Sequence, residues 1–182
     1  MGSLFGFASL FCQLAGSILH FRVSRTYFLS FCISATDEGI DYKSLIESHD
    51  VNALAAAMNA TTKFIIHNKN ISIQNMKTIA TALHSNISIT AINLASNNIG
   101  DGGLKEIATA LGTNKSVTTL NLTDNVIGDD GALALRNMLM TNETITNVNL
   151  STNKIGDNGA KGIATALCRN KSVTTLKRCH LP

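Results

Sequence analysis

Residues 117–144 read VTTLNLTDNVIGDDGALALRNMLMTNET, and a close variant of that string stands on each side of it. Residues 89–116 are ITAINLASNNIGDGGLKEIATALGTNKS, and residues 145–172 are ITNVNLSTNKIGDNGAKGIATALCRNKS. The two flanking copies agree at 18 of 28 positions without a gap. A constant period of this length marks stacked units, because a unit that cannot bury its own apolar side can bury it against its copies.

Every copy divides the same way. In VTTLNLT the Leu-x-Leu alternation turns Val117, Leu120 and Leu122 inward and Thr119, Asn121 and Thr123 outward, as in a short half-buried strand. DNVIGDDG is a turn cluster. Asp101, Asp129 and Asp157 stand where a carboxylate can cap the helix that follows, by accepting from its free N–H groups. Ala132, Leu135 and Leu139 then form one helical stripe, repeated as Leu104, Ile107, Ala108 and Leu111, and as Ala160, Ile163, Ala164 and Leu167. The expected fold is α/β: a curved solenoid with short parallel strands on the concave side and helices on the convex side. Four strands would span about 15–20 Å at roughly 4.8 Å spacing.

The pattern Leu-x-Leu-x-x-Asn-x-Ile-Gly-Asp-x-Gly-Ala, with a helix ending Ala-Leu-x-x-Asn, resembles the ribonuclease-inhibitor type of leucine-rich repeat. It is most similar to the C-terminal repeats of NOD-like receptors. Related repeats occur in Ran GTPase-activating protein and tropomodulin. The resemblance covers residues 61–176 and implies a scaffold for binding other proteins. It places the family's asparagine ladder on Asn97, Asn125 and Asn153, whose amides would satisfy backbone groups in the turn. Gly100, Gly128 and Gly156 are expected to hold that turn, and Gly103, Gly131 and Gly159 to let the helix approach the strand layer.

The boundaries read as follows. Residues 1–35 are an apolar N-terminal extension, 36–60 a degenerate first unit or helical cap, and 61–182 the solenoid. Its units are 61–88, 89–116, 117–144 and 145–172, with a truncated 173–182. Unit 61–88 is a worn copy, with Lys69 at the ladder position and Asn75 in place of glycine. Residues 171–176, KSVTTL, restart the cycle and run into KRCHLP without a polar cap, so this end is expected to be truncated or to self-associate through an exposed edge. Six of the seven Phe fall in the first 31 residues. Residues 2–21 are uncharged apart from His20, with Arg22 and Arg25 following. Such a stretch can anchor in a membrane with the repeats in the cytosol, act as a signal, fold over the first repeat, or stem from a wrong gene start.

Chemistry is sparse. A net charge of +3 gives no electrostatic case for nucleic acid. The four cysteines lack paired spacing, the five histidines are scattered, and no phosphate loop is present, so no metal, cofactor or catalytic residue is expected. Eight Asn-x-Ser/Thr sequons occur, at 59, 70, 86, 114, 121, 142, 149 and 170, yet no cysteine-rich cap accompanies them; a cytoplasmic location is expected, ahead of a membrane-anchored or secreted one. The outward strand positions form columns of candidate partner-binding residues. These are Thr90, Thr118, Thr146 and Thr174; Thr119, Asn147 and Thr175; Asn93, Asn121, Asn149 and Lys177; and Thr123 with Ser151. With three or four residues per strand the face covers a few hundred Å2, below the roughly 800 Å2 per partner of a standard interface. The helix side, carrying Lys105, Glu106, Arg136 and Lys161, is the other surface on offer. The expected function is non-enzymatic protein binding, with two alternatives: a GTPase-activating protein similar to Ran GTPase-activating protein, and an actin-end binder similar to tropomodulin.

Overall fold

Strand and helix alternate along the chain because each unit changes from an alternating pattern to a helical stripe at the Asn/Asp/Gly cluster. The computed structural model describes residues 42–178; the stretch 2–21, the whole of 1–41 and residues 179–182 lie outside the described residues. Two short helices come first, α1 (Tyr42–Glu47) and α2 (Val51–Asn59). Then follow β1 (Lys63–Ile65), α3 (Ile73–His84), β2 (Ala91–Asn93), α4 (Gly100–Thr113), β3 (Thr119–Asn121), α5 (Asp129–Thr141), β4 (Asn147–Leu150), α6 (Asp157–Leu167) and β5 (Thr175–Arg178). The strands form one parallel sheet in chain order, β1 to β5.

Register follows the period. Phe64, Ile92, Leu120, Val148 and Leu176 are successive Cα partners across the sheet. The first four of them are buried and Leu176 is half-buried. Each helix packs on the next helix, and each strand on the next strand. Packed helices sit about 8–10 Å apart and strands about 4.8 Å apart, so the strand side is the inner side of the bend. The sheet has five strands rather than four. The additional one is Lys63–Ile65, in the worn unit, where Phe64 supplies the apolar anchor at 0% exposure.

The helix stripes are buried as the spacing predicts through Leu104, Ile107, Ala108 and Leu111 and through Ala132, Leu135 and Leu139. In α6 only Ile163 of the four stripe residues is buried; Ala160 and Leu167 are half-buried and Ala164 is exposed. Among the described residues no further helix covers that face. At the other end, Tyr42 meets Phe64 edge-on at 4.8 Å between ring centroids, and its hydroxyl bonds Thr61 Oγ1 at 3.0 Å. Asp50 caps α2 by accepting from Ala53 N at 3.0 Å. Residues 42–60 are therefore helical, with no strand of their own.

The turn between strand and helix is unusual backbone. Asn68, Ser96, Asp124 and Thr152 all have φ between 55° and 57°, and Asn70, Asn98 and Val126 have φ of 51°, 56° and 58°. These left-handed residues bracket positions 69, 97 and 125, and they twist peptide groups away from any strand partner.

Candidate protein-binding face

Side chains projecting from the strands line up across the sheet because the register repeats every 28 residues. One column is Lys63, Ala91, Thr119, Asn147 and Thr175; the other is Ile65, Asn93, Asn121, Asn149 and Lys177. Lys63 and Ile65 were not singled out in the sequence, although the KFI alternation signals them; both are exposed, Ile65 at 44%. The predicted columns are thus brought together, but many of their polar groups face the scaffold.

Thr90, Thr118, Thr146 and Thr174 form a ladder just ahead of the strands. Their Oγ1 hydroxyls donate to Thr62 O, Thr90 O, Thr118 O and Thr146 O at 3.1, 3.1, 3.2 and 3.3 Å. Each hydroxyl proton is already spent on the neighbouring unit, which leaves none to donate to a partner. Asn121 Nδ2 donates to Asn93 Oδ1 at 3.0 Å, while Asn121 Oδ1 accepts from Thr123 N and Thr123 Oγ1. Asn149 Oδ1 accepts from Ser151 N at 3.1 Å. Asn147 Nδ2 reaches only its neighbour Thr146 Oγ1. Lys63, Thr119, Asn147, Thr175 and Lys177 therefore remain as the polar groups best placed to meet a partner.

The asparagine ladder beneath this face is an inter-unit device. Asn125 Oδ1 accepts from Asn97 N at 3.0 Å and Ile99 N at 3.3 Å, while its Nδ2 donates to Leu94 O at 2.8 Å and Thr123 O at 3.1 Å. Asn97 does the same toward Lys69 N, Ile66 O and Ala95 O. Asn153 serves Asn125 N, Ile127 N and Leu122 O. Asn97 and Asn125 are 0% exposed, so these bonds replace water that cannot reach the twisted turn.

The aspartates depart from expectation. Neither Asp101 nor Asp129 caps its own helix; each caps the helix of the next unit. Asp101 Oδ1 accepts from Gly128 N at 2.7 Å, and Asp129 Oδ1 accepts from Gly156 N at 2.8 Å and Gly159 N at 2.9 Å. Asp157, exposed in the last described helix, has no following helix to cap among the described residues. The glycines are corrected by the same geometry. A Cβ on Gly131 would lie 2.5 Å from Asp101 Oδ1, and one on Gly159 2.6 Å from Asp129 Oδ1. Those glycines clear space for the previous unit's carboxylate and for the isoleucine four residues back, Ile127 at 2.8 Å and Ile155 at 2.9 Å, whereas Gly103 clears space for Ile99 at 2.5 Å and Met76 at 3.1 Å without a carboxylate. Of the turn glycines only Gly100 needs its freedom, at φ +62°; Gly128 and Gly156 have ordinary negative φ.

A second ladder runs along the helix ends, on asparagines that are also sequon positions. Asn114 Nδ2 donates to Leu83 O and Asn86 O at 3.1 and 2.9 Å, and Asn142 Nδ2 to Leu111 O and Asn114 O at 2.7 and 3.0 Å. Asn170 repeats the arrangement on Leu139 O and Asn142 O. Their Oδ1 atoms accept from the N–H groups two and three residues on, which start the next strand. The recurring phase of Asn in Ala-Leu-x-x-Asn was the available signal.

On the helix side a shallow groove of about 680 Å3 runs between α4 and α5, lined among others by Asp101, Lys105, Asp130, Leu133 and Met138. Its charged lining is two aspartates and one lysine. Lys105 and Lys161 are exposed on this side, while Glu106 and Arg136 are half-buried, the latter with its Nε buried. Cys168 is a free, exposed thiol. Among the described residues no helix is long and apolar enough to cross a membrane.

Comparison with known proteins agrees with this geometry. The family model for the leucine-rich repeat matches residues 85–108, 113–135 and 141–164. A comparison with curated proteins returns no match. Among solved structures, the actin-binding site 2 of leiomodin-1 is similar with a TM-score of 0.62 and 24% identity, covering 81% of this chain and 82% of that one. At that identity the likeness concerns the fold. The matched segments, the ordered parallel sheet and the helix layer together make this an α/β leucine-rich-repeat solenoid.

Proposed function

We propose that the chain is a non-enzymatic protein-binding scaffold that holds its partner on the strand face, along the columns of Lys63, Thr119, Asn147 and Thr175 and of Ile65 and Lys177. The observation that carries this reading is the register, which sets one side chain from every strand into each exposed column. The face is small and lacks Trp, Tyr and Arg among its described columns, so the large anchoring side chains come from the partner. Affinity capture from the source cell tests it with three baits: the parent, Thr119→Arg with Asn147→Arg, and Lys105→Glu with Lys161→Glu. A partner lost by the first variant and kept by the second supports the reading, and the reverse overturns it.

The repeat pattern resembles that of NOD-like receptors, which supports a role as one recognition module of a larger assembly. A second reading is actin binding, favoured by the fold likeness to the leiomodin-1 segment whose name records that activity. Co-sedimentation with filaments and an elongation assay at filament ends decide it. Actin binding that Thr119→Arg with Asn147→Arg abolishes would adopt this reading, and no effect at micromolar protein removes it.

A further inference from the structure

Four of the eight sequons sit in the second ladder: Asn86-Ile-Ser, Asn114-Lys-Ser, Asn142-Glu-Thr and Asn170-Lys-Ser. Asn86, Asn114 and Asn142 are 3%, 3% and 1% exposed, and Asn170 is half-buried. At Asn114, Asn142 and Asn170 both amide hydrogens are committed to backbone carbonyls of the preceding unit. At Asn86 the amide donates to Asn59 Oδ1 at 2.7 Å. The Ser or Thr two residues on also works for the fold, because Ser116, Thr144 and Ser172 hydroxyls donate to the Oδ1 of the sequon asparagine. The motif that a glycosylating enzyme reads is, in this chain, a turn that ends one helix and begins the next strand.

We infer that the repeat region is built for a compartment without N-glycosylation and works on the cytosolic side of the secretory membranes. Transfer from a lipid-pyrophosphate-linked oligosaccharide forms a bond from Nδ2 to the sugar's C1, releases the lipid pyrophosphate, and displaces one amide proton. The glycosylated asparagine keeps a single N–H. At Asn114 or Asn142 that N–H can serve one carbonyl, while the sugar occupies the approach to the other, inside the stack. The transfer happens on the unfolded chain as it enters the secretory pathway, so burial in the folded state gives no protection. The sequon at Asn70 is exposed and lies outside the ladder, and this sets the incompatibility at the ladder rather than at sequons in general.

The full chain, fused behind a cleavable secretory signal and expressed in eukaryotic cells, tests the inference. Glycans are mapped by mass spectrometry, and folding is read by protease resistance of the chain in cells and medium. The same chain without the signal provides the folded reference. The parent is expected to carry glycans at Asn114 and Asn142 and to be retained in a protease-sensitive form. Blocking synthesis of the lipid-linked sugar, or removing the four ladder sequons with Ser88→Ala, Ser116→Ala, Thr144→Ala and Ser172→Ala, is expected to restore folded chain by roughly tenfold or more, the scale set by losing a buried hydrogen bond. The inhibitor arm leaves the ladder intact and stands even where the substituted chain folds poorly. Secretion of folded parent in any glycosylation state overturns the inference, as does equal retention with and without the inhibitor.

Discussion

The unit at 61–88 and the units that follow it solve one problem in two ways. In the first, α3 is capped from within: Ser72 Oγ accepts from Asn75 N at 3.2 Å. In the later ones the caps of α5 and α6 arrive from the preceding unit, through Asp101 and Asp129. Between them lies α4, preceded by a unit with Ile73 where the aspartate would be. Its start has no side-chain cap, and Gly100 N donates instead to Asn125 O at 2.8 Å. Local capping stabilises one helix, whereas capping across the boundary makes each unit's stability depend on its neighbour. The first arrangement suits an end and the second an interior.

The largest expected effect comes from the ladder. Asn125→Leu strands two amide donors' partners and two backbone N–H groups in a dry turn, so urea unfolding should show a loss of about 3 kcal/mol or more. The matching change in the first unit, Lys69→Leu, removes an exposed side chain and should shift stability by less than about 0.5 kcal/mol. Equal losses would mean that the ladder does not distinguish the two regions. Next, Asp129→Ala leaves Gly156 N and Gly159 N without their carboxylate. A loss of about 2 kcal/mol is expected, with faster hydrogen exchange at the start of α6 rather than of α5. Exchange confined to α5 would return the cap to its own helix. Ser72→Ala should cost about 1 kcal/mol, with exchange quickened in α3 alone. One further effect has the opposite sign. Val126 is a β-branched residue at φ 58° where the previous unit has Asn98 at φ 56°, so Val126→Asn should raise stability by about 0.5–1 kcal/mol. A thermal midpoint unchanged or lowered would contradict that account.

Much of this architecture was legible in the sequence because a period of 28 exposes every position three times or more. Strand, turn and helix stripe follow from patterns that lie within a unit, and so does the phase of the Asn ladder. What lies between units was less visible. Nothing inside GDDG tells whether Asp129 serves the helix it begins or the one that starts 27 residues later; the stagger of neighbouring units decides. The threonine column looked free for the same reason, since its acceptors are carbonyls 28 residues upstream. Lys63–Ile65 was hidden by the wear around it, although burial of Phe64 needs only the central position to be apolar. The outward strand columns were legible as a surface, and the hydrogen bonds they make to neighbouring units were not.

The aspartate and the glycine it touches are never in the same repeat. Asp101 belongs with Gly128 and Gly131, and Asp129 with Gly156 and Gly159. Duplication of a whole period preserves every such couple, whichever residue the copy starts from. Shuffling unlike repeats does not: a unit bearing the aspartate must be followed by one bearing both glycines, or a carboxylate meets a methyl group. The glycine itself answers to more than the carboxylate: Gly103, which follows the unit with Ile73, still has Ile99 Cγ2 2.5 Å from where its Cβ would stand. Inheritance in such a chain thus acts on the seam, and two adjacent repeats are the smallest text in which its grammar can be read.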